Sequence, residues 1–539
     1  MKKLSFSIIV FYILTLTLSN VRAQSIPVGT YLDDYYRRMQ LLGWVDSTIS
    51  YSVRPLHTAA FRVADSYDPD SSLQQDSWID FHGTVRSADE KFLFRVLPVT
   101  WKQQVNSHHP YGWNDGAMIP AKGYQTLLTA GFYAEWGPLS VQLQPEYLYA
   151  TNKAFETLDR SFNADFPEHF GSIPYSKVLW GQSSARLTVG PASLGLSNEN
   201  LWWGPGKRNS LLMTNNAEGF KHVTLNTVRP ISTPIGSFEA QFIGGALENS
   251  GEPHPNENFT YPKNEWRYLS AMNVNYQPKW LPGLFLGLAR AFYAYKSDLR
   301  NVGDYVPFLT PFQKVNTNDG DPFPRDQLTS LYARWVFTKA KAEVYVEYGL
   351  NDNAHDLRDF INAPDHSRSY IVGLSKLVPL PSRQNEFIEV NMELNQTSQS
   401  IDQVLRNSGN WYTHSQVKHG YTHMGQIIGA GIGLGGNLQS IDVRWVKGFK
   451  TLGIGFERFE HNDSNAPVSL NKHSRRWVDF AFGATGTWSY KNLLINAKLQ
   501  GIKSLNYQWK LAGYTPDEYY IPHNDLMNFH GELGVAFRF

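Results

Sequence analysis

Apolar and polar residues alternate one by one over much of the chain. Ile388, Val390, Met392 and Leu394 interleave with Glu389, Asn391, Glu393 and Asn395. Leu493, Ile495, Ala497 and Leu499 interleave with Leu494, Asn496, Lys498 and Gln500, and Leu139, Val141, Leu143 and Tyr147 with Ser140, Gln142, Gln144 and Glu146. Strand residues two apart share a face, so each segment has one oily and one wet face. A soluble sandwich shows that too. Segments of about ten residues with aromatics at their ends point instead to a transmembrane barrel. Roughly nineteen such segments fit between 76 and 539, from a hairpin of 76–87 with 91–103 to a last strand at 528–539. Bacterial barrels of this type use an even number, so one segment is surplus, and 76–87 is the first to doubt.

The last segment decides the class. Phe529, Leu533, Val535, Phe537 and Phe539 fall on one face, and His530, Glu532, Ala536 and Arg538 on the other. A terminal aromatic on such a strand resembles the signal read by the bacterial outer-membrane insertion machinery, and in hydrocarbon the strands have to close on themselves. No stretch after the N-terminus has the roughly 18 apolar residues of a membrane helix. The expected fold is all-β: a transmembrane antiparallel β-barrel of about 18 strands with a small N-terminal helical part.

Residues 1–23 read as a cleaved signal peptide, with Lys2 and Lys3, an uncharged run and Val21-Arg22-Ala23 before the cut. In 24–75, expected to be a helical segment, Tyr31, Leu32, Tyr35, Met39 and Leu42 recur at helical spacing up to Gly43. A second short helix is expected from Arg54 through Ala64. The barrel then takes 76–539. Its short links, such as Gly137, Gly190-Pro191, Ala340 and Lys491, should face the periplasm. The long loops 151–181, 202–221, 298–326, 398–436 and 506–527 should face outward. The inward charges Glu239, Glu343, Glu347, Glu389, Glu393, Asp442, Arg444, Lys498 and Arg538 either line a pore or pair with plugging loops. Loops as long as 298–326 and 398–436 favour at least partial plugging.

Composition narrows the chemistry. There is no cysteine, which excludes disulfides, thiol nucleophiles and thiolate metal sites. Lys and Arg number 49 against 48 Asp and Glu, and loss of the signal makes the balance slightly negative, so nucleic acid is not a partner. Two stretches stand out. Leu201–Pro230 opens with Trp202 and Trp203, turns at Gly204-Pro205-Gly206 and presents Lys207, Arg208, Asn209, Asn215, Asn216 and Arg229. Rings beside such donors suit the C–H faces and hydroxyls of a sugar. They equally suit a structured loop at a membrane interface. Trp411–Glu457 holds Trp411, Tyr412, His414, His419, Tyr421 and His423. His419 and His423 have a metal-ligand spacing, but Gly420 and Gly425 argue against a helix and no carboxylate is close, so neither metal nor cofactor is expected. There is no G-x-S-x-G elbow and no compact catalytic constellation.

These two stretches carry a resemblance. W-W-G-P-G, then N-S-L at Asn209–Leu211 and N-N-A at Asn215–Ala217, followed late by H-x-x-x-x-H-G-Y from His414 to Tyr421, resemble the Wzi family of capsule-assembly outer-membrane proteins, in the form found in Bacteroidetes-like members. The resemblance runs over most of the mature chain. It implies 18 strands, a periplasmic position for the helical segment 24–75, an outer-membrane location and a non-enzymatic lectin that helps assemble or attach capsule or exopolysaccharide. The polysaccharide ligands would be Trp202, Trp203, Lys207, Arg208, Asn209, Asn215, Asn216, Arg229, Trp411, Tyr412, His414, His419, Tyr421 and His423. The other expected partners are outer-membrane lipid and, through Phe539, the insertion machinery. A porin-like channel for sugars or small solutes, and an outer-membrane hydrolase, stay open as second and third readings.

Overall fold

The computed structural model describes residues 24–61, 65–69, 73, 77–79, 83–89, 91–157, 164–253, 259–307, 324–351, 357–362, 364, 366–398, 410–461, 476–509 and 525–539. The signal segment 1–23 lies outside the described residues. Eighteen staves form a closed barrel. In chain order they are β1 (Phe92–Asn106), β2 (Gly123–Trp136), β3 (Leu139–Leu143, resuming as Glu146–Ala150), β4 (Tyr175–Leu179, resuming as Ser184–Val189), β5 (Ala192–Ser197), β6 (His222–Thr227, resuming as Ile231–Thr233), β7 (Gly236–Leu247), β8 (Arg267–Pro278) and β9 (Leu284–Tyr295). The second half comprises β10 (Arg325–Phe337), β11 (Ala342–Asn351), β12 (Arg368–Pro379), β13 (Phe387–Gln396), β14 (Asn437–Lys447), β15 (Lys450–Glu460), β16 (Val478–Tyr490), β17 (Leu493–Leu505) and β18 (Leu526–Phe537). Antiparallel pairing of β18 with β1 closes the ring, His530 opposite Asn106 and Phe537 opposite Val99. Breaks in β3 and β6 fall at Pro145 and Pro230, which have no N–H to give to a ladder.

The surplus sequence segment is the first one. Only Thr84–Arg86 of it is a strand, a short extension paired with the start of β1 rather than a stave. The alternation sorts as expected. Leu139, Val141, Tyr147, Met392, Leu394, Leu499, Phe529 and Leu533 are exposed on the outer wall, while Gln142, Glu389, Glu393, Asn395, Gln500, His530 and Arg538 are buried on the inner one. An apolar outer wall on a closed ring is what a membrane-spanning barrel requires. At one end the links are two to seven residues long, and at the other sixteen to forty. The long-link end is here the outer end, the side that carries the long loops in bacterial barrels.

A helix, α1 (Tyr31–Leu41), sits inside the ring near the short turns. It is buried almost all round, because its polar residues meet the wall instead of water. Arg37 Nε bonds Glu343 Oε1 at 2.8 Å, Arg38 reaches the turn carbonyl of Gly448, and Asp34 pairs with Arg444 at 3.1 Å. Tyr35 stacks on Phe449 at 4.2 Å and Tyr36 on Phe61 at 4.0 Å, anchoring the helix to the β14–β15 turn and to its own segment. The chain leaves α1 through Gly43, whose φ of 77° is the left-handed conformation of a helix stop. The expected helix from Arg54 to Ala64 shrinks to Thr58–Phe61, and 62–64 lie outside the described residues. Pro55 pushes Arg54 into extended backbone. Val53–Arg54 then pairs with Trp202–Trp203, and Leu56–His57 with Ser25–Ile26. The described part of 24–75 packs against the inner wall of the barrel.

Candidate functional site

The W-W-G-P-G-K-R-N loop between β5 and β6 does not project outward. It dives into the lumen, where inward carboxylates of the wall receive it. Glu393 on β13 accepts the backbone N–H groups of Lys207, Arg208 and Asn209 at 2.7 to 3.1 Å. Glu347 on β11 accepts the N–H of Leu211 at 3.2 Å. Lys207 Nζ reaches Glu389 at 3.1 Å and Asn391 at 2.9 Å. Arg208 forks between Asp442 at 2.8 Å and Glu457 at 2.6 Å. Burial works against the charge on Arg208, but Asp442 and then Glu457 outweigh it and hold the guanidinium more firmly protonated than usual. From below, Arg37 donates to Pro205 O at 2.7 Å and Arg54 to Gly206 O at 3.2 Å, satisfying carbonyls of a turn that has few partners of its own. Gly204 sits at φ 127°, and a Cβ there would approach Glu347 Oε2 to 2.7 Å, so the turn needs glycine.

Above it lies the second stretch. Trp411, Tyr412, Val417, Tyr421, Ile427 and Ile428 join Trp203, Leu211 and Leu212 in the largest apolar cluster among the described residues. Tyr412 Oη donates to Leu211 O and accepts the N–H of Ala430, both at 2.8 Å. Asn209 Oδ1 accepts the N–H of Gly431 at 2.9 Å. The glycine run 429–436 therefore lets this loop close over the W-W-G-P-G loop rather than cradle a phosphate. A Cβ at Gly429 would strike Tyr412 and Leu211 O.

This geometry places most of the expected ligand set in packing within the barrel. Trp203 is fully buried, its Nε1 bonded to Gln241 at 2.8 Å, and Trp202 is covered by Arg54 stacked at 4.7 Å. Trp411 Nε1 donates to Ser367 O at 3.0 Å, while Tyr412 and Tyr421 have no exposed face. Asn209, Asn215 and Asn216 hold loops together, Asn216 by bonding Ile427 O and the N–H of Asn114. His414 Nδ1 caps its own turn at Val417 N, 3.1 Å. His419 stacks on Tyr261 at 3.9 Å and bonds Tyr295 at 2.8 Å, and His423 accepts the N–H of Glu248 at 3.0 Å. Arg229 is elsewhere altogether, in the break of β6 toward the short turns. No group of three or more His, Asp or Glu able to hold a metal occurs among the described residues. Filling comes from α1 and the 198–221 and 410–436 loops. Residues 308–323 of the long 298–326 loop lie outside the described residues.

Three of the cavities among the described residues lie along one side of the lumen. A charged one of about 450 Å³ runs beside β1 and β16–β18, past Lys102, Asp115, Lys498 and Glu532. A polar one of about 200 Å³ lies under Trp113, between Asn114, Trp202, Lys207, Arg208 and Asn215. An aromatic one of about 190 Å³ occupies the outer end, and sequence reasoning missed it. Its rings come from separate loops, and only their place at the outer ends of the last strands could have flagged them.

Burial holds His419 and His423 well below the usual histidine value, to about 3 each, with Arg267 adding to the effect. Both are thus neutral in the closed loop. Their ordinary value is 6.5, so their contribution is complete above that pH and is lost as pH falls through about 3. Hydrogen exchange in detergent, corrected for the intrinsic rate, should show 411–436 losing protection relative to the staves between pH 7 and pH 4. An unchanged ratio would remove this account of the loop.

A family model described as capsule assembly protein Wzi matches residues 104–502. No curated protein matches the chain. Among solved structures, the chain is similar to Wzi of Escherichia coli, a carbohydrate-binding β-barrel of the outer membrane involved in group 1 capsule assembly. The two share 14% identity over 96% of this chain and 100% of that one, with a TM-score of 0.61. Porin-type barrels match less well: OccAB2 of Acinetobacter baumannii at 10% identity, over 82% of this chain and 97% of that one (TM-score 0.39), and a BenF-like porin of Pseudomonas fluorescens at 7%, over 83% and 99% (TM-score 0.39). A filled, closed barrel whose lumen is plugged by the W-W-G-P-G loop, and a family match over most of its length, place this outer-membrane chain in the Wzi capsule-assembly family.

Proposed function

We propose that the chain holds capsular or exopolysaccharide at the outer end of a plugged barrel and so helps to assemble it or attach it to the cell. The observation that carries this is the lumen itself. Wall carboxylates, α1 and two loops interlock into one body, which suits a fixed binding platform better than a porin-like channel. It is a binding protein, not an enzyme. Of the residues singled out in the sequence, Trp202, Lys207, Arg208 and Asn215 border the inner cavities and are the ones proposed to meet a sugar entering from above. Trp202 Nε1 and Asn215 Oδ1 are buried without a hydrogen-bond partner among the described residues, which supports a polar occupant there. Purified protein in detergent should retain the producing strain's own surface polymer, not an unrelated dextran, and conduct poorly in planar bilayers. Failure to retain the polymer, or a large steady conductance, would overturn the proposal.

The remaining partners are proposed with it: outer-membrane lipid against the apolar wall, and the insertion machinery at the last strand. Phe539 packs edge-on against Phe537 at 5.3 Å, beyond the last ladder pair. A charge at the membrane edge costs a finished barrel only about 0–1 kcal/mol. Phe539→Lys should therefore cut the yield of heat-modifiable barrel in cells several-fold while leaving the melting of what does assemble nearly unchanged. Normal yield would remove the role of the terminal ring.

A further inference from the structure

The rings of the outer aromatic cavity come from neither stretch that carries the family resemblance, although Asn216, Gln426 and Ile432 of those stretches help to line it. Trp477 opens β16, Phe459 and His461 close β15, Tyr507 and Trp509 follow β17, and Trp113 comes from the β1–β2 loop. His461 lies flat on Trp477 at 3.5 Å and 11°, and Asp479 holds both, bonding His461 Nε2 at 2.8 Å and Trp477 Nε1 at 2.9 Å. Trp509 and Tyr507 stand edge-on to Trp477, at 5.2 Å and 83° and at 4.9 Å and 73°. Trp113 faces Phe459 at 5.4 Å. The rings are thus fixed at different angles around a common space before anything enters it.

One polar group interrupts the aromatic wall. Gln508, between the two rings, is almost wholly buried, and its backbone is left-handed at φ 57°. Its amide nitrogen is fixed on Glu156 O, but its Oε1 has no hydrogen-bond partner among the described residues. A buried acceptor without a donor is costly unless something supplies one. The cavity, about 190 Å³, is smaller than the roughly 300–1,000 Å³ of sites for drug-sized ligands, so it admits one ring and not two.

We infer that this cavity is a subsite for a single pyranose unit of the surface polymer, its C–H faces against Trp477, Trp509 and Trp113 and a hydroxyl donated to Gln508 Oε1. The inference rests on the polysaccharide-binding reading and gives that reading a place. Flat apolar rings take the C–H faces of a sugar, whereas a chain of several units would not fit. Because the unit sits in a pocket and not a groove, the subsite selects a branch or a chain end. The cavity meets the polar one beneath it at Tyr111, Gly112 and Trp113, so hydroxyls on the far side of the ring point toward Asn114 and Lys498.

The test is titration of full-length protein in detergent, followed by tryptophan fluorescence. Probes are the producing strain's purified polymer, the free monosaccharides of its hydrolysate, and tetramethylammonium. Expected are polymer binding by the wild type, competition by at least one monosaccharide, and a loss of about tenfold in polymer affinity for Trp477→Ala. Gln508→Ala, which removes the acceptor and the bond from Nε2 to Glu156 O, should lose about fivefold and melt only slightly below the wild type, so the inference stays testable if Trp477→Ala does not assemble. Wild-type affinity in a folded Gln508→Ala variant, with no monosaccharide competing, would overturn the subsite and leave polysaccharide binding standing. Competition by tetramethylammonium but by no sugar would overturn it in favour of a cation cage. No polymer binding by the wild type would instead overturn the function on which the subsite rests.

Discussion

Trp203→Ala should lower the stability of the folded barrel by about 3–5 kcal/mol, the usual cost of emptying the site of a buried Trp. The ring is fully buried in the cluster that joins the two loops to the wall. Its loss also strips Gln241 Oε1 of a donor, and its backbone N–H donates to Met213 O while its C=O accepts from Ser210 Oγ. The expected readout is a large drop in the temperature at which the folded gel band converts to the unfolded one. Polymer retention should fall only in proportion to the folded fraction. A ring that instead stacked on an exposed glycan would give the opposite result: normal melting and weak retention. That outcome would falsify the packing role of Trp203.

Removing a charge from inside the plug should do comparable damage by a different route. Glu343 on β11 is wholly buried between Arg37 at 2.8 Å and Arg334 at 2.7 Å. Glu343→Ala leaves two buried guanidinium groups without their shared counter-charge, which costs about 3–5 kcal/mol. Because Arg37 also carries the Pro205 carbonyl, α1 and the W-W-G-P-G loop come loose together. Melting should drop, and the small conductance of the wild type should become larger and flickering in planar bilayers. Adding Arg37→Leu should return part of the stability by removing one stranded charge. If Glu343→Ala matches the wild type in both melting and conductance, the ion pair does not hold the plug.

Acid should loosen the same assembly. Burial works to raise the pKa of Asp34, but Arg444, Arg38 and Lys207 outweigh it and hold the carboxyl well below its ordinary 3.8. Its contribution is therefore present above about pH 4 and lost below it as the carboxylate is protonated. Its loss comes at lower pH than the loosening of the histidine loop, so two steps in conductance are expected on acidification.

The stave pattern was legible residue by residue. Glu389, Glu393 and Asn395 face inward and Met392 and Leu394 outward because a strand's period of two is a property of its own backbone. Closure and strand number followed from the amphipathic last strand and the need for an even count. The helix at Tyr31–Leu41 was legible from its spacing for the same local reason. Where sequence distance had to be spanned, local pattern was silent. The longest loops suggested themselves as the plug, yet the deeper insertion is made by the Lys207–Asn209 turn, because Glu393, Glu389, Asp442 and Glu457 from three staves happen to converge there. Trp202 and Trp203 beside Lys207 and Arg208 read equally as a sugar platform or as packing, since residue type states what a side chain can contact and not what covers it. Trp113, Phe459, Trp477 and Trp509 gave no signal as a group, because only the register of β15, β16 and β17 and the fold of the β1–β2 loop bring them to one pocket. The sequence by itself determined a membrane barrel and its family. Tertiary structure alone decided which aromatics are walled in and which surround a cavity, because burial is set by long-range pairing of inward charges and loops.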